Sequence, residues 1–193
     1  LAETIPDFHN TKVRFQNLKN AIAEDPHGRA AGVQTEIDWF LAREEEGSKV
    51  VNLIDAGKLP MRVTHNDTKL NNVMLDDISG EGVCVIDLDI TMNGSAVYDF
   101  GDMVRTATSP VAEDEVDTSK IHMRIEMFEA LVKGYLKSAN VFLTDRERSL
   151  LAFSGKLLTI ECGTRFLADY LMGDIYFKIH KDGHNLDRIR SQI

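Results

Sequence analysis

His65-Asn66-Asp67-Thr68-Lys69-Leu70-Asn71-Asn72 is the stretch on which the reading of this chain turns. The acid Asp67 is followed five residues later by the amide Asn72, and twenty residues after Asp67 a second acid, Asp87, closes the apolar run Val83-Cys84-Val85-Ile86. Two acids and an amide in that order are what phosphoryl transfer requires. One carboxylate, Asp67, orients and deprotonates an attacking hydroxyl. An amide oxygen, Asn72, and a second carboxylate, Asp87, hold the Mg2+ that offsets phosphate charge. Magnesium is a hard cation that takes oxygen ligands, usually few of them from protein.

The flanks suit that chemistry. Met61–Thr64 predicts a short strand entering the loop, Asn72–Asp76 a second strand, and Val83–Ile86 a third. The intervening Asp77-Ile78-Ser79-Gly80-Glu81-Gly82 is turn chemistry. A strand–turn–strand unit brings its ends together, so Asp87 is expected beside Asp67 and Asn72. Asp99-Phe100-Gly101 spells the D-F-G of protein kinases, but it lies 32 residues past Asp67. Residues 92–98 read as loop and 102–107 as helix, so no strand is expected to deliver Asp99. The metal is assigned to Asp87. Asp99 is read as a helix-start acid accepting orphan backbone N–H bonds.

Elsewhere the periodicity is helical. Helices are expected over 12–24, ending at Asp25-Pro26, over 28–46, with Glu44-Glu45-Glu46 as a solvated end, and over 49–56 with Ser48 as cap. Further helices are expected over 119–139, over a long stretch opened by the capping box Thr144-Asp145-Arg146-Glu147 and closed by Gly173, and over 185–192. Glu113–Asp117 reads as an exposed acidic loop. The fold class is therefore α+β, mainly helical, with a small β-hairpin carrying the catalytic loop.

The 193 residues, 43% of them hydrophobic and 27% charged, suffice for one globular domain with a real core. A net charge of −9 disfavours nucleic acid, which needs a basic footprint. No apolar run approaches the ~20 residues of a membrane span. Cys84 and Cys162 lie in apolar patterns and are expected to be buried, reduced thiols, which points to a cytoplasmic location.

The set His65-x-Asp67 with Asn72, Ile86-Asp87-x-Asp89, and Tyr98-Asp99-Phe100-Gly101-Asp102 resembles the aminoglycoside phosphotransferase and choline kinase family of small-molecule kinases. The likeness runs from about Phe8 to Gln192. Within that family, the catalytic loop and the segment from Glu161-Cys162-Gly163-Thr164-Arg165 to Gly173-Asp174-Ile175-Tyr176-Phe177-Lys178 resemble the N-acetylhexosamine kinase-like branch. The resemblance implies a protein kinase-like C-terminal lobe, with ATP and a small-molecule sugar as partners and Mg2+ as cofactor. It also implies that the His65 ring bonds backbone near Asp87, that Asp99 braces the catalytic loop, and that Arg165 and Tyr176 contact the sugar.

Several alternatives stay open. Lys69 either meets the γ-phosphate or is a solvated lysine. Arg165 either serves the sugar or pairs with Glu161 one turn away. Asp89 either touches a second metal or caps a turn. His180 and His184 lack a third ligand nearby, so a metal there is disfavoured. Trp39 is expected in the core. The substrate is a hexosamine, or an aminoglycoside or choline-like amine, or the fold only binds. Nothing before His65 resembles a Gly-rich phosphate loop or a strand lysine. The expectation is a single domain over 1–193 lacking the nucleotide-clamping N-terminal lobe, with activity only in the full-length parent.

Overall fold

Four short strands and eight helices carry the chain through residues 3–193, which the computed structural model describes. In order they are α1 (Thr11–Glu24), α2 (Gln34–Leu41), α3 (Glu44–Gly47), α4 (Lys49–Asp55), β1 (Arg62–Thr64), β2 (Val73–Leu75), β3 (Gly82–Val85), β4 (Met92–Gly94), α5 (Ala96–Ala107), α6 (Ile125–Ala139), α7 (Asp145–Leu171) and α8 (His184–Gln192). Short 3₁₀ turns at Ala30–Val33, Leu70–Asn72 and Thr118–Lys120 complete the described elements. The class is the mainly helical α+β lobe expected of a kinase-like fold.

The chain divides into two compact units. The first comprises the residues through His9, Ala56–Ser109 and Met123–Leu158. The second comprises Asn10–Asp55, Pro110–His122 and Thr159–Ile193.

In the first unit, β2 and β3 form the expected antiparallel hairpin, with Val73 opposite Val85 and Met74 opposite Cys84. A second antiparallel pair, β1 with β4, places Thr64 opposite Met92 and Arg62 opposite Gly94. The core lies among α5, α6 and α7, around Phe100, Val104, Ala139, Leu143 and Leu151. Gly101 permits the contact of α5 with α7, since a Cβ there would overlap the Ser154 carbonyl oxygen and lie 2.8 Å from Leu158 Cδ2. The capping box forms as expected: Glu147 N–H donates to Thr144 Oγ1 at 3.2 Å, and Thr144 N–H donates to Glu147 Oε2 at 2.7 Å. Glu147, fully buried, also takes the Nε and Nη2 of Arg62 at 2.7 and 2.8 Å, tying β1 to α7.

In the second unit, Leu18, Ile37, Phe40, Phe166, Leu167, Leu171 and Ile189 form the core, with Trp39 packed at its edge. Trp39 also lies under the Arg43 guanidinium, 3.6 Å from the ring centroid.

Four expectations need correction. Residues 92–98 are not a loop: they hold β4 and the start of α5, whose N-cap is Ser95 rather than an acid. The helix expected over 28–46 is a 3₁₀ turn followed by two separate helices, α2 and α3. The helix expected over 119–139 begins only at Ile125. The guanidinium and backbone N–H of Arg124, just before it, bond the carbonyls at the end of α5 instead. Cys84 is exposed, not buried, and every residue of β3 faces solvent. The acidic run is the loop expected, anchored where Asp114 pairs with His184 at 3.0 Å and the Glu113 carbonyl accepts the Ser191 hydroxyl.

Candidate active site

The catalytic loop leaves β1 at Thr64 and turns at Asn66, whose φ of 68° is a left-handed conformation that Asn tolerates better than most residues. The turn is held from all sides. The Asn66 side-chain amide donates to the carbonyls of Thr64 (3.2 Å) and Ile90 (2.9 Å) and accepts the Thr64 hydroxyl (2.9 Å). Gly94 of β4 makes room for this cluster: a Cβ there would overlap Thr64 Oγ1 and lie 2.7 Å from Asn66 Oδ1.

Asp99, in the first turn of α5, accepts the backbone N–H groups of His65 (3.0 Å) and Asn66 (2.8 Å). It thus caps the catalytic loop rather than its own helix. Burial raises its pKa above the usual carboxylate value, against the opposing pull of those two N–H bonds and of His9 and His65. The D-F-G of this chain is therefore a structural triplet, comprising a brace (Asp99), a core ring (Phe100, fully buried) and a packing gap (Gly101).

Asp67 follows the turn. Its N–H donates to His65 Nδ1 at 3.2 Å, so His65 carries its proton on Nε2, which donates to the Ile86 carbonyl at 2.9 Å. That bond joins the loop bearing Asp67 to the residue preceding Asp87. Asp67 Oδ2 accepts Lys69 Nζ at 2.6 Å and Asn72 Nδ2 at 2.9 Å, and Asn72 Nδ2 also reaches the Asp67 carbonyl at 2.7 Å. Among the described residues, Asp67 Oδ1 has no hydrogen-bond partner.

At the hairpin, Ile86 N–H donates to the Asn72 carbonyl at 2.9 Å, which closes the ends of β2 and β3 on one another. Asp87 follows at φ 63°, exposed, and without a hydrogen bond or ion pair among the described residues. The donor set suits Mg2+. Asn72 directs its NH2 to Asp67, which leaves the amide oxygen on the opposite side, and Asp87 offers an unshared carboxylate. Among the described residues, no three His, Cys, Asp or Glu side chains could hold a metal by themselves.

Arg165 and Tyr176 lie in the second unit. The Arg165 guanidinium is 5.8 Å from the Tyr176 ring centroid and 5.3 Å from that of Phe177. All three line a cleft of about 310 Å³ with Arg14, Asn17, Asn20 and Glu24 of α1. The loop bearing Tyr176 is pinned by Asp169, which accepts the N–H groups of Tyr176 (2.7 Å) and Phe177 (3.0 Å) and the Asn185 amide (2.8 Å). Asp174, at φ 61°, pairs with Arg29 at 2.6 Å. His184 Nδ1 accepts the His180 N–H at 3.1 Å, so its Nε2–H faces Asp114 and the two histidines serve local structure.

Sequence reasoning passed over His9, the α1 amides and Asp169. Only Asp169 left a signal, in an acid before the helix stop Gly173-Asp174. A lone histidine in a turn and two asparagines on a helix carry none.

A mainly helical fold with an acid, an amide and a hairpin acid in this order is compatible with a phosphotransferase framework. Residues 1–139 match the phosphotransferase enzyme family. The match covers well over half of the chain, and the chain belongs to that family. It includes Asp67, Lys69, Asn72 and Asp87 and ends before Arg165 and Tyr176.

Proposed function

We propose that this chain is the catalytic lobe of an ATP-dependent small-molecule kinase that phosphorylates a sugar hydroxyl, the anomeric hydroxyl of an N-acetylhexosamine in particular. The observation that carries the reading is the state of Asp67. One carboxylate oxygen is held by Lys69 and Asn72, while the other is open to an incoming hydroxyl.

On this reading Asp67 Oδ1 accepts the hydroxyl proton as the sugar oxygen attacks the γ-phosphorus and the bond to the ADP oxygen breaks. Asn72 and Asp87 would hold Mg2+, which would offset the phosphate charge. Lys69, whose Nζ lies 2.6 Å from Asp67 Oδ2, offsets charge on the phosphoryl group in transit. Arg165 and Tyr176 contact the sugar. ATP as donor puts the reaction in the cytoplasm.

The polar groups of the cleft support a sugar over a polyamine. A polycation needs several carboxylates without other duties. In the cleft Asp169 is saturated by three donors, which leaves Glu24 against two arginines.

The test is phosphorylation of a panel of N-acetylhexosamines, neutral hexoses, aminoglycosides and choline by the protein carrying this chain, with Mg2+ and ATP. Turnover concentrated on N-acetylhexosamines is the expected result. Turnover on aminoglycosides or choline alone would overturn the substrate while leaving the roles of Asp67, Asn72 and Asp87 standing. Arg165→Ala is expected to raise the sugar KM more than it lowers kcat.

A further inference from the structure

We propose that His9 is a positioning residue for Asp67. It holds the Asn66–Asp67 peptide by its carbonyl while His65 holds the same peptide by its N–H. The inference rests on the reading of Asp67 as proton acceptor.

His9 Nε2 lies 3.1 Å from the Asn66 carbonyl oxygen. A carbonyl can only accept, so this nitrogen carries the proton. On the far side of the same peptide, the Asp67 N–H meets His65 Nδ1 at 3.2 Å. A peptide is a rigid plane. Fixing its oxygen and its N–H fixes the direction in which the next Cα presents its side chain, and here the next side chain is Asp67.

The plane needs holding, because Asn66 is in the left-handed region, which costs about 1 kcal/mol or more for a residue with a Cβ. Asp99 restrains the preceding N–H groups of His65 and Asn66, and Asn72 restrains the carbonyl that follows, that of Asp67. Of the bonds that hold this loop, the one to the Asn66 carbonyl comes from some 57 residues away along the chain.

The donor is itself located. The His9 ring stacks on Tyr98 at 4.8 Å with 12° between the planes, and Phe8 meets it edge-on at 4.7 Å. Tyr98 neighbours Asp99 on α5, so one helical turn holds the ring of His9 and both of the N–H groups ahead of Asp67.

Two substitutions separate the donor from the ring. His9→Phe keeps an aromatic plane for Tyr98 and removes the N–H. His9→Gln loses the plane and keeps a donor at similar reach. In the protein carrying this chain, His9→Phe is expected to lower kcat by about tenfold to a hundredfold, with KM for either substrate within about twofold. His9→Gln is expected to recover most of the loss. Hydrogen exchange of the Asp67 amide is expected to quicken in the Phe variant and not in the Gln variant. Wild-type kcat in His9→Phe, or equal losses in both variants, would overturn the proposal.

Asp67→Asn is run in parallel. If it loses turnover while His9→Phe does not, only the role of His9 fails. If Asp67→Asn keeps full turnover, the proton-acceptor reading fails, and this inference with it. Should neither His9 variant fold, nitrogen NMR of the unaltered chain decides. A His9 ring protonated on Nε2 and coupled to the Asn66 carbonyl supports the assignment, and an Nδ1–H tautomer rejects it.

Discussion

Asp67 and Asp87 are held in opposite ways. Around Asp67, the N–H groups of residues 65, 66 and 67 and the carbonyls of 66 and 67 all have partners, and the loop stands on the β1–β4 pair, where Thr64, Met92 and Gly94 are buried. Asp87 lies two residues past a strand whose every residue faces solvent, and its carboxylate is unshared among the described residues. The difference follows from what each would do. A proton acceptor must be aimed before the substrate arrives, because misdirection is lost rate. A metal ligand is aimed by the ion it binds, and magnesium brings its own geometry.

The first way to break this comparison is Asp67→Asn. If Asp67 is the aimed base, turnover falls by about a hundredfold to ten-thousandfold with nucleotide affinity kept. Steady-state kinetics together with nucleotide titration read both. Unchanged turnover would mean that the hydrogen-bonded frame around Asp67 serves stability alone.

Next in size is Glu147→Gln, which loosens the anchor of β1. Burial raises the Glu147 pKa, but the Arg62 guanidinium and the Thr144 donors outweigh it and hold the carboxyl below its usual range. A depressed acid contributes stability above the unfolded pKa of about 4.3 and loses it as pH falls through the folded value. Glu147→Gln should therefore cost about 3 kcal/mol near neutral pH and flatten the acid limb of Tm against pH. A variant with the same acid limb as the parent would show that this pair does not carry the pH dependence.

A Cβ at Gly94 presses on Thr64 and Asn66. Gly94→Ala should destabilise by about 2 kcal/mol and lower kcat with it, as denaturant unfolding and kinetics would report. Asp87→Asn should raise the Mg2+ concentration for half-maximal activity by about tenfold, since a charged ligand becomes a neutral one at an ion of low protein coordination. Its melting temperature should stay that of the parent, because no protein partner loses the charge. The smallest effect belongs to Gly82→Ala on the hairpin. An added Cβ there meets nothing within 4 Å, and stability should change by no more than about 0.5 kcal/mol.

The sequence showed most clearly what depends on local chemistry. The capping box at Thr144 and the turn between β2 and β3 are each encoded within a few residues, and the structure assembles both. What stayed hidden depends on distant partners. β4 is three residues, Met92–Gly94, with the look of a loop, and it is a strand because β1 lies beside it. Val83-Cys84-Val85-Ile86 has the pattern of a buried strand, yet it is exposed. Apolar content reports what a side chain favours, not what covers it. Arg124 delays the start of α6 by bonding the end of α5, a contact no periodicity foretells. For the site, Asp67, Lys69 and Asn72 come together on one loop, whereas the bond from His9 to Asn66 could not be read from a lone histidine in a turn.

The placement of Asp99 in a helix bears on which inactive control an experimenter should make. Pattern recognition would select the aspartate of the literal D-F-G as the residue to neutralise. In this chain that change would withdraw the acceptor from two backbone N–H groups and release the loop, giving a damaged protein whose silence says nothing about chemistry. Asp87, exposed and unshared, is the position at which a metal-ligand role can be tested while the fold is left as a fair comparison.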